Sequence, residues 1–278
     1  MSVDFGFPFF IPGAQTFRRE YFVDVLSGVL TSSTFAQHEL HEVVAPQVEA
    51  ESHAASRDPA AVALDVAHSL AFRKGLGNPL FASQPVSLDA IKAYAAQAFT
   101  KENVAVVGSG ISNSTLAQLV RNKLGSLPSG SNSSSATRYF GGESRVSTHG
   151  GLPTLFVGFG TEKPAPALSV LAAYLDPTPS IKWTEGTSPL AKLPAGVTAQ
   201  IVHDAYSDGA LFGVLIQGND VAALTEAGKR AVQAIRGAAE GLKGDAFAQA
   251  VTKSKYAVAS ALENGRDVSS TVLAYKVR

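Results

Sequence analysis

The chain has 278 residues, 45% hydrophobic and 17% charged, with 23 Lys plus Arg balanced by 23 Asp plus Glu. That is enough apolar content to bury one large or two ordinary cores, and the balanced charge offers no positive field to draw in nucleic acid or an anionic membrane surface. With no cysteine, disulfides and thiolate metal sites are excluded, and only His, Asp and Glu remain as metal ligands.

Stretches such as Val104–Val107 and Leu211–Ile216 fall far short of the ~20 apolar residues that cross a bilayer, so membrane association is expected only through partners. Met1 to Gly13 is aromatic and proline-punctuated, without the arginine-rich amphipathic character of a transit peptide, and carries no readable address.

From Arg18 to Leu30, Tyr21, Phe22, Val25, Leu26 and Val29 recur at helical spacing, which predicts a helix burying one face. A second helix is expected from about Thr34 toward Glu51, kinked or broken at Pro46. Asp58-Pro59 supplies an N-cap and a first-turn proline for an alanine-rich helix to about Lys74, ended by Gly75, Gly77 and Pro79. Ser87 caps a further helix to Phe99, and Val104–Val107 reads as a short buried strand. Asn113 to Leu124 is helical.

The run Gly125–Thr137, dominated by Ser, Gly and Asn, is the best domain boundary. It divides the chain into a first domain at 1–125, a linker at 126–138 and a second domain at 139–278. Past the linker, strands are predicted at Leu152–Phe159, Val197–His203 and Ala210–Gln217, with a helix at Ala165–Leu175. Two long helices, Asp220–Leu242 and Asp245–Glu263, follow, the second with Phe247, Val251, Tyr256 and Val258 among its apolar positions. Strands followed by runs of helices make the fold class α+β, and no repeat of solenoid length occurs.

Few residues point to chemistry. The histidines are His38, His41, His53, His68, His149 and His203. His38-Glu39-Leu40-His41-Glu42 resembles a zinc helix only superficially, because H-E-x-x-H and H-x-x-E-H space their histidines four apart and these are three apart. Positions three apart still share a helix face, so weak metal binding is conceivable, but a polar helix surface is the better reading. Val104 to Gly110 ends in G-x-G, yet Asn113 stands where a dinucleotide-binding loop would place its third glycine, which favours a tight turn. Nucleophile elbow, P-loop and calcium loop are all absent. The sequons at Asn113 and Asn132 are uninformative in serine-rich surroundings. Trp183, the one tryptophan, could anchor an interface, with a core edge favoured.

Several ordered stretches nevertheless share a likeness. Phe72 to Leu80 is similar to the turn after a helix in the core subunits of mitochondrial ubiquinol-cytochrome c reductase, and Glu102 to Ile111 to the strand that ends their first domain. Tyr139 to Arg145 resembles the start of their second domain. Ser180 to Trp183 with Ser188-Pro189-Leu190, and Ala205 to Gly213, resemble the core protein 2 branch most specifically.

This family is related to pitrilysin-type (inverzincin) metallopeptidases. The resemblance implies two related α+β domains, each a mainly antiparallel sheet with helices packed on one face. It also implies a structural, non-catalytic subunit of respiratory complex III, on the matrix side of the mitochondrial inner membrane. The implied partners are core protein 1 and the other complex subunits, with no nucleic acid, no direct membrane span and no cofactor.

Active relatives carry H-x-x-E-H on an early helix, which would precede Arg18 to Phe22. Glu49 and Glu51 lie roughly where the family's distal ligand falls, but without paired histidines they have no zinc to hold, so no catalytic or metal-binding residue is assigned. The resemblance further suggests truncation at both ends, with apolar faces left open and poor solubility expected of the isolated chain. A subunit of the mitochondrial processing peptidase is the alternative. It is disfavoured because Leu175 to Leu193 holds only Gly186 where the non-catalytic processing subunit is glycine-rich.

Overall fold

The computed structural model describes residues 17–81, 84–108, 110–130, 136–148, 150–179, 186–242 and 244–263. They divide into two compact units, one formed by residues 50–81 and 136–260 and the other by the remaining described residues.

The first unit is built on a three-stranded antiparallel sheet, β1 (Thr154–Thr161), β2 (Val197–Ala205) and β3 (Ala210–Gly218), in the order β1-β3-β2. The register runs from Thr154 opposite Gln217 to Thr161 opposite Ala210, and from Val197 opposite Gly218 to Ala205 opposite Ala210. β3 lies in the middle and is buried along nearly all its length. That explains its continuous apolar run, since a strand covered on both faces does not alternate.

On one face of β3, Ala210, Phe212, Val214 and Ile216 pack with Leu168 and Leu175 of α7 (Pro166–Leu175) and with Leu224, Ala227 and Ala231 of α8 (Val221–Ala239). Leu224, Ala227, Gly228 and Ala231 recur at three- and four-residue steps, so they form one stripe of α8. Gly228 lets this helix approach closely, because a Cβ there would stand 2.7 Å from a Leu155 methyl. Each large side chain so buried contributes about 1.5–3 kcal/mol. Asp220 starts α8 by accepting a hydrogen bond from the Ala223 N–H at 2.9 Å.

The other face receives α4 (Pro59–Phe72), whose Ala71 and Phe72 pack with Leu211. Here glycine makes room for rings. A Cβ on Gly213 would lie 2.5 Å from the Phe156 ring, and one on Gly160 would lie 2.6 Å from Tyr139. The expected cap of α4 is present, with Asp58 accepting from the Ala60 N–H and Pro59 opening the first turn. The helix ends at Phe72, two residues before Lys74, because Arg73 takes a positive φ of 60° and leads into a 3-10 turn at Gly75–Gly77. The last helix among the described residues, α9 (Gly244–Glu263), buries Ala250 and pairs Lys253 with Asp176 at 2.8 Å, while Phe247, Tyr256 and Val258 are exposed.

The second unit is helical among its described residues: α1 (Phe17–Thr31), α2 (Gln37–Glu39), α5 (Leu88–Ala98) and α6 (Asn113–Leu124), with α3 (Ala45–Ser56) running from this unit into the first. The break foreseen at Pro46 takes the form of a π turn at Leu40–Val44, in which the Ala45 N–H reaches back five residues to the Leu40 carbonyl. Proline cannot donate and its ring crowds the carbonyl four residues back, and the wider π turn relieves both problems. Ser87 and Ser112 cap α5 and α6, accepting from the N–H groups of Ala90 and Thr115.

Two expectations are corrected here. Most of the apolar stripe of α1 is not buried: Tyr21 is 64% exposed, Val29 52%, and Val25 and Leu26 are exposed as well, while Phe22 is half-buried. Polar groups join α1 to α6, the Ser27 hydroxyl donating to the Lys123 carbonyl at 2.6 Å and Lys123 pairing with Asp24 at 2.6 Å. Val104–Val107 forms no strand, and Val106 is 38% exposed. Among the described residues no strand lies beside it, and a strand without a partner leaves its backbone groups unpaired.

Candidate functional site

Side chains with chemical potential converge at one place in the first unit, where α4 faces the β2–β3 hairpin. His68 sits on the sheet side of α4, four residues before Phe72. Its Nδ1–H donates to the Leu64 carbonyl at 2.9 Å. A carbonyl can only accept, so in the neutral ring Nε2 carries the lone pair. That lone pair accepts the Tyr206 hydroxyl at 2.7 Å, and Asp204 Oδ2 stands 3.6 Å from the same nitrogen. Burial, then the neighbouring Asp204 carboxylate, pushes the Tyr206 phenol up to about 12. Tyr206 is therefore a donor at neutral pH and not a phenolate nucleophile.

Tyr206 is placed by its turn: its N–H donates to the Gly209 carbonyl at 2.8 Å. Asp208 in the same turn accepts from the Thr137 N–H at 3.0 Å and from its hydroxyl at 2.6 Å. Past Thr137, the Phe140 N–H donates to the Ala71 carbonyl at 2.9 Å, and the Arg73 guanidinium lies 4.3 Å from the Phe140 ring centroid. Three stretches distant in sequence, 72–80, 137–145 and 205–213, are thus fastened together. Gly209 lies at their junction, where an added Cβ would contact Thr137 and Leu76 and crowd the Thr161 carbonyl at 3.0 Å.

His203 alternates to the opposite face of β2. Its ring lies 6.0 Å from that of Phe212, and burial holds it below the ordinary histidine range against the opposing pull of Asp204. His203 and His68 therefore cannot share a ligand.

The histidines singled out in the sequence lie elsewhere and are exposed. His41 Nε2 receives the Gln37 side-chain amide at 2.6 Å, and His38, Glu39 and Glu42 share the same exposed segment. Glu49 and Glu51 are exposed on α3. Among the described residues no group of three His, Asp or Glu side chains is placed to hold a metal ion. His149 and the stretch Ser180–Glu185, which includes Trp183, lie outside the described residues.

Described residues on either side of that stretch lie in the core. Leu175 and Leu190 are fully buried, and the Ser188 hydroxyl donates to the Leu175 carbonyl at 2.7 Å while accepting from the Leu190 N–H at 3.1 Å. Glycine adds closeness only at Gly186, whose Cβ position is 2.9 Å from that of Ala191.

What the α4–hairpin cluster can do is mechanical. Its one basic lone pair already accepts a hydrogen bond from the phenol, its carboxylates already receive hydrogen bonds or face the histidine, and the space at Gly209 is taken by Thr137, Leu76 and the Thr161 carbonyl. The sequence marked Tyr206 and Asp208 through their stretch, but it gave His68 no role. Its only signal was a histidine on the apolar side of an alanine-rich helix.

No protein-family model matches the chain. It is 42% identical over 258 residues to the mitochondrial cytochrome b-c1 complex subunit 2 of Cryptococcus neoformans, covering 88% of this chain and 59% of that protein. It is 38% identical over 259 residues to the corresponding subunit of Yarrowia lipolytica, covering 91% and 62%. Among solved structures, a chain of Complex III2 from Candida albicans with Inz-5 bound superposes with a TM-score of 0.72 at 16% identity, over 91% of this chain and 64% of that one. An inactive peptidase M16 domain from Pseudomonas fluorescens superposes at 0.61 with 13% identity, over 88% and 61%. The chain thus spans about three-fifths of the length of the curated relatives it matches. The α+β, metallopeptidase-like fold and the resemblance to the core subunits are both borne out.

Proposed function

We propose that this chain, a homologue of the cytochrome b-c1 complex subunit 2 proteins over most of its length, is a non-catalytic structural part of mitochondrial respiratory complex III. The observation that carries this reading is sequence identity of 42% sustained over 258 residues with a subunit of that complex. The superposition on an inactive M16 peptidase domain fits the same reading. Its place is the matrix side of the inner membrane, and its partners are core protein 1 and the other subunits. No helix among the described residues is long and apolar enough to cross a membrane, so attachment runs through those partners.

The domain reading stays with the proposal as a division along the chain, a first peptidase-like domain at 1–125, a linker at 126–138 and a second domain at 139–278, although α4 of the first shares a compact unit with the sheet of the second. In this function the α4–hairpin cluster is a fastening. It makes the sheet, α4 and the segment after Thr137 one rigid body that partners can brace against. Neither the relatives named nor the arrangement around His68 supports a processing-peptidase role.

Assembly tests the proposal directly. The tagged chain is produced in yeast cells lacking subunit 2, and solubilised mitochondria are resolved on native gels. Migration with the cytochrome b-c1 complex is the expected result. Exclusion from the complex overturns the reading, as does zinc-dependent presequence cleavage by the purified chain.

A further inference from the structure

We draw no further inference here: the strongest candidate, the exposed apolar stripe of α1 formed by Tyr21, Val25 and Val29, carries nothing because nothing in the structure shows what covers it.

Discussion

α8 and α1 both place apolar residues at three- and four-residue steps, with the far more one-sided stripe in α8, and they end in opposite environments. In α8, Leu224, Ala227, Gly228 and Ala231 are buried against the sheet, whereas in α1, Tyr21, Val25, Leu26 and Val29 face outward. The difference lies in what each helix has beside it. α8 has a sheet whose central strand is apolar on both faces, while α1 has α6, which it meets through Ser27 and Asp24. Periodicity shows that a helix has an apolar face. It does not show what covers that face.

The largest effect should come from the centre of the sheet. Phe212 is fully buried and its ring lies 5.5 Å from that of Phe159. Phe212→Ala is expected to cost about 3–5 kcal/mol, read as a lower urea midpoint for the first unit. A loss below about 1 kcal/mol would mean that this core is not the tight one described, and the contrast with α1 would collapse.

The glycine-lined face comes next. A Cβ at Gly158 would sit 2.8 Å from Phe156 Cε1 and still closer to the Phe212 carbonyl, which is backbone and cannot give way. Gly158→Ala should therefore destabilise by about 1–3 kcal/mol, although alanine suits a strand interior better than glycine does. Stabilisation in thermal melts would show instead that the Phe156 ring does not lie over the strand.

Tyr206→Phe is a smaller change with a pH signature. Losing the hydroxyl should cost about 1 kcal/mol near neutral pH by leaving His68 Nε2 without its donor. The sign at high pH follows from the raised phenol. Its contribution is fully present below the ordinary tyrosine value of about 10 and is lost as pH climbs toward about 12. Between pH 10 and 12 the two proteins' denaturation midpoints should converge. Parallel curves across that range, or a phenol ionising near 10 by ultraviolet absorbance, would remove Tyr206 from its half-buried place beside Asp204.

What could be read from the sequence was what is local. The caps at Asp58 and Ser87, the break at Pro46 and the strands β1 to β3 depend on residues within a few positions of one another, and each appears close to where it was expected. What failed depended on a partner. Val104–Val107 has strand composition but no neighbouring strand among the described residues, and α1 has a helical stripe of which Tyr21, Val25, Leu26 and Val29 are exposed. The site divides the same way. The stretches 72–80, 139–145 and 205–213 stand out by resemblance, yet the contacts that join them, Gly209 beside Leu76 and Phe140 beside Arg73, are tertiary facts that no spacing announces. His68 went without a role because its partners, Asp204 and Tyr206, lie far along the chain.

The smallest expected effect is the sharpest test of the contrast. Tyr21 is 64% exposed, so Tyr21→Ser removes little buried area, and the two residues have similar helix propensities. A change within about 0.5 kcal/mol is expected, as for most surface substitutions. The companion variant Ser27→Val should cost more, despite adding apolar surface. Ser27 is buried, and its hydroxyl is what satisfies the Lys123 carbonyl near the end of α6. Comparing the two urea midpoints shows which side of α1 holds the helix. If Tyr21→Ser proves the costlier, the apolar stripe is the packed face and the polar contact with α6 is incidental.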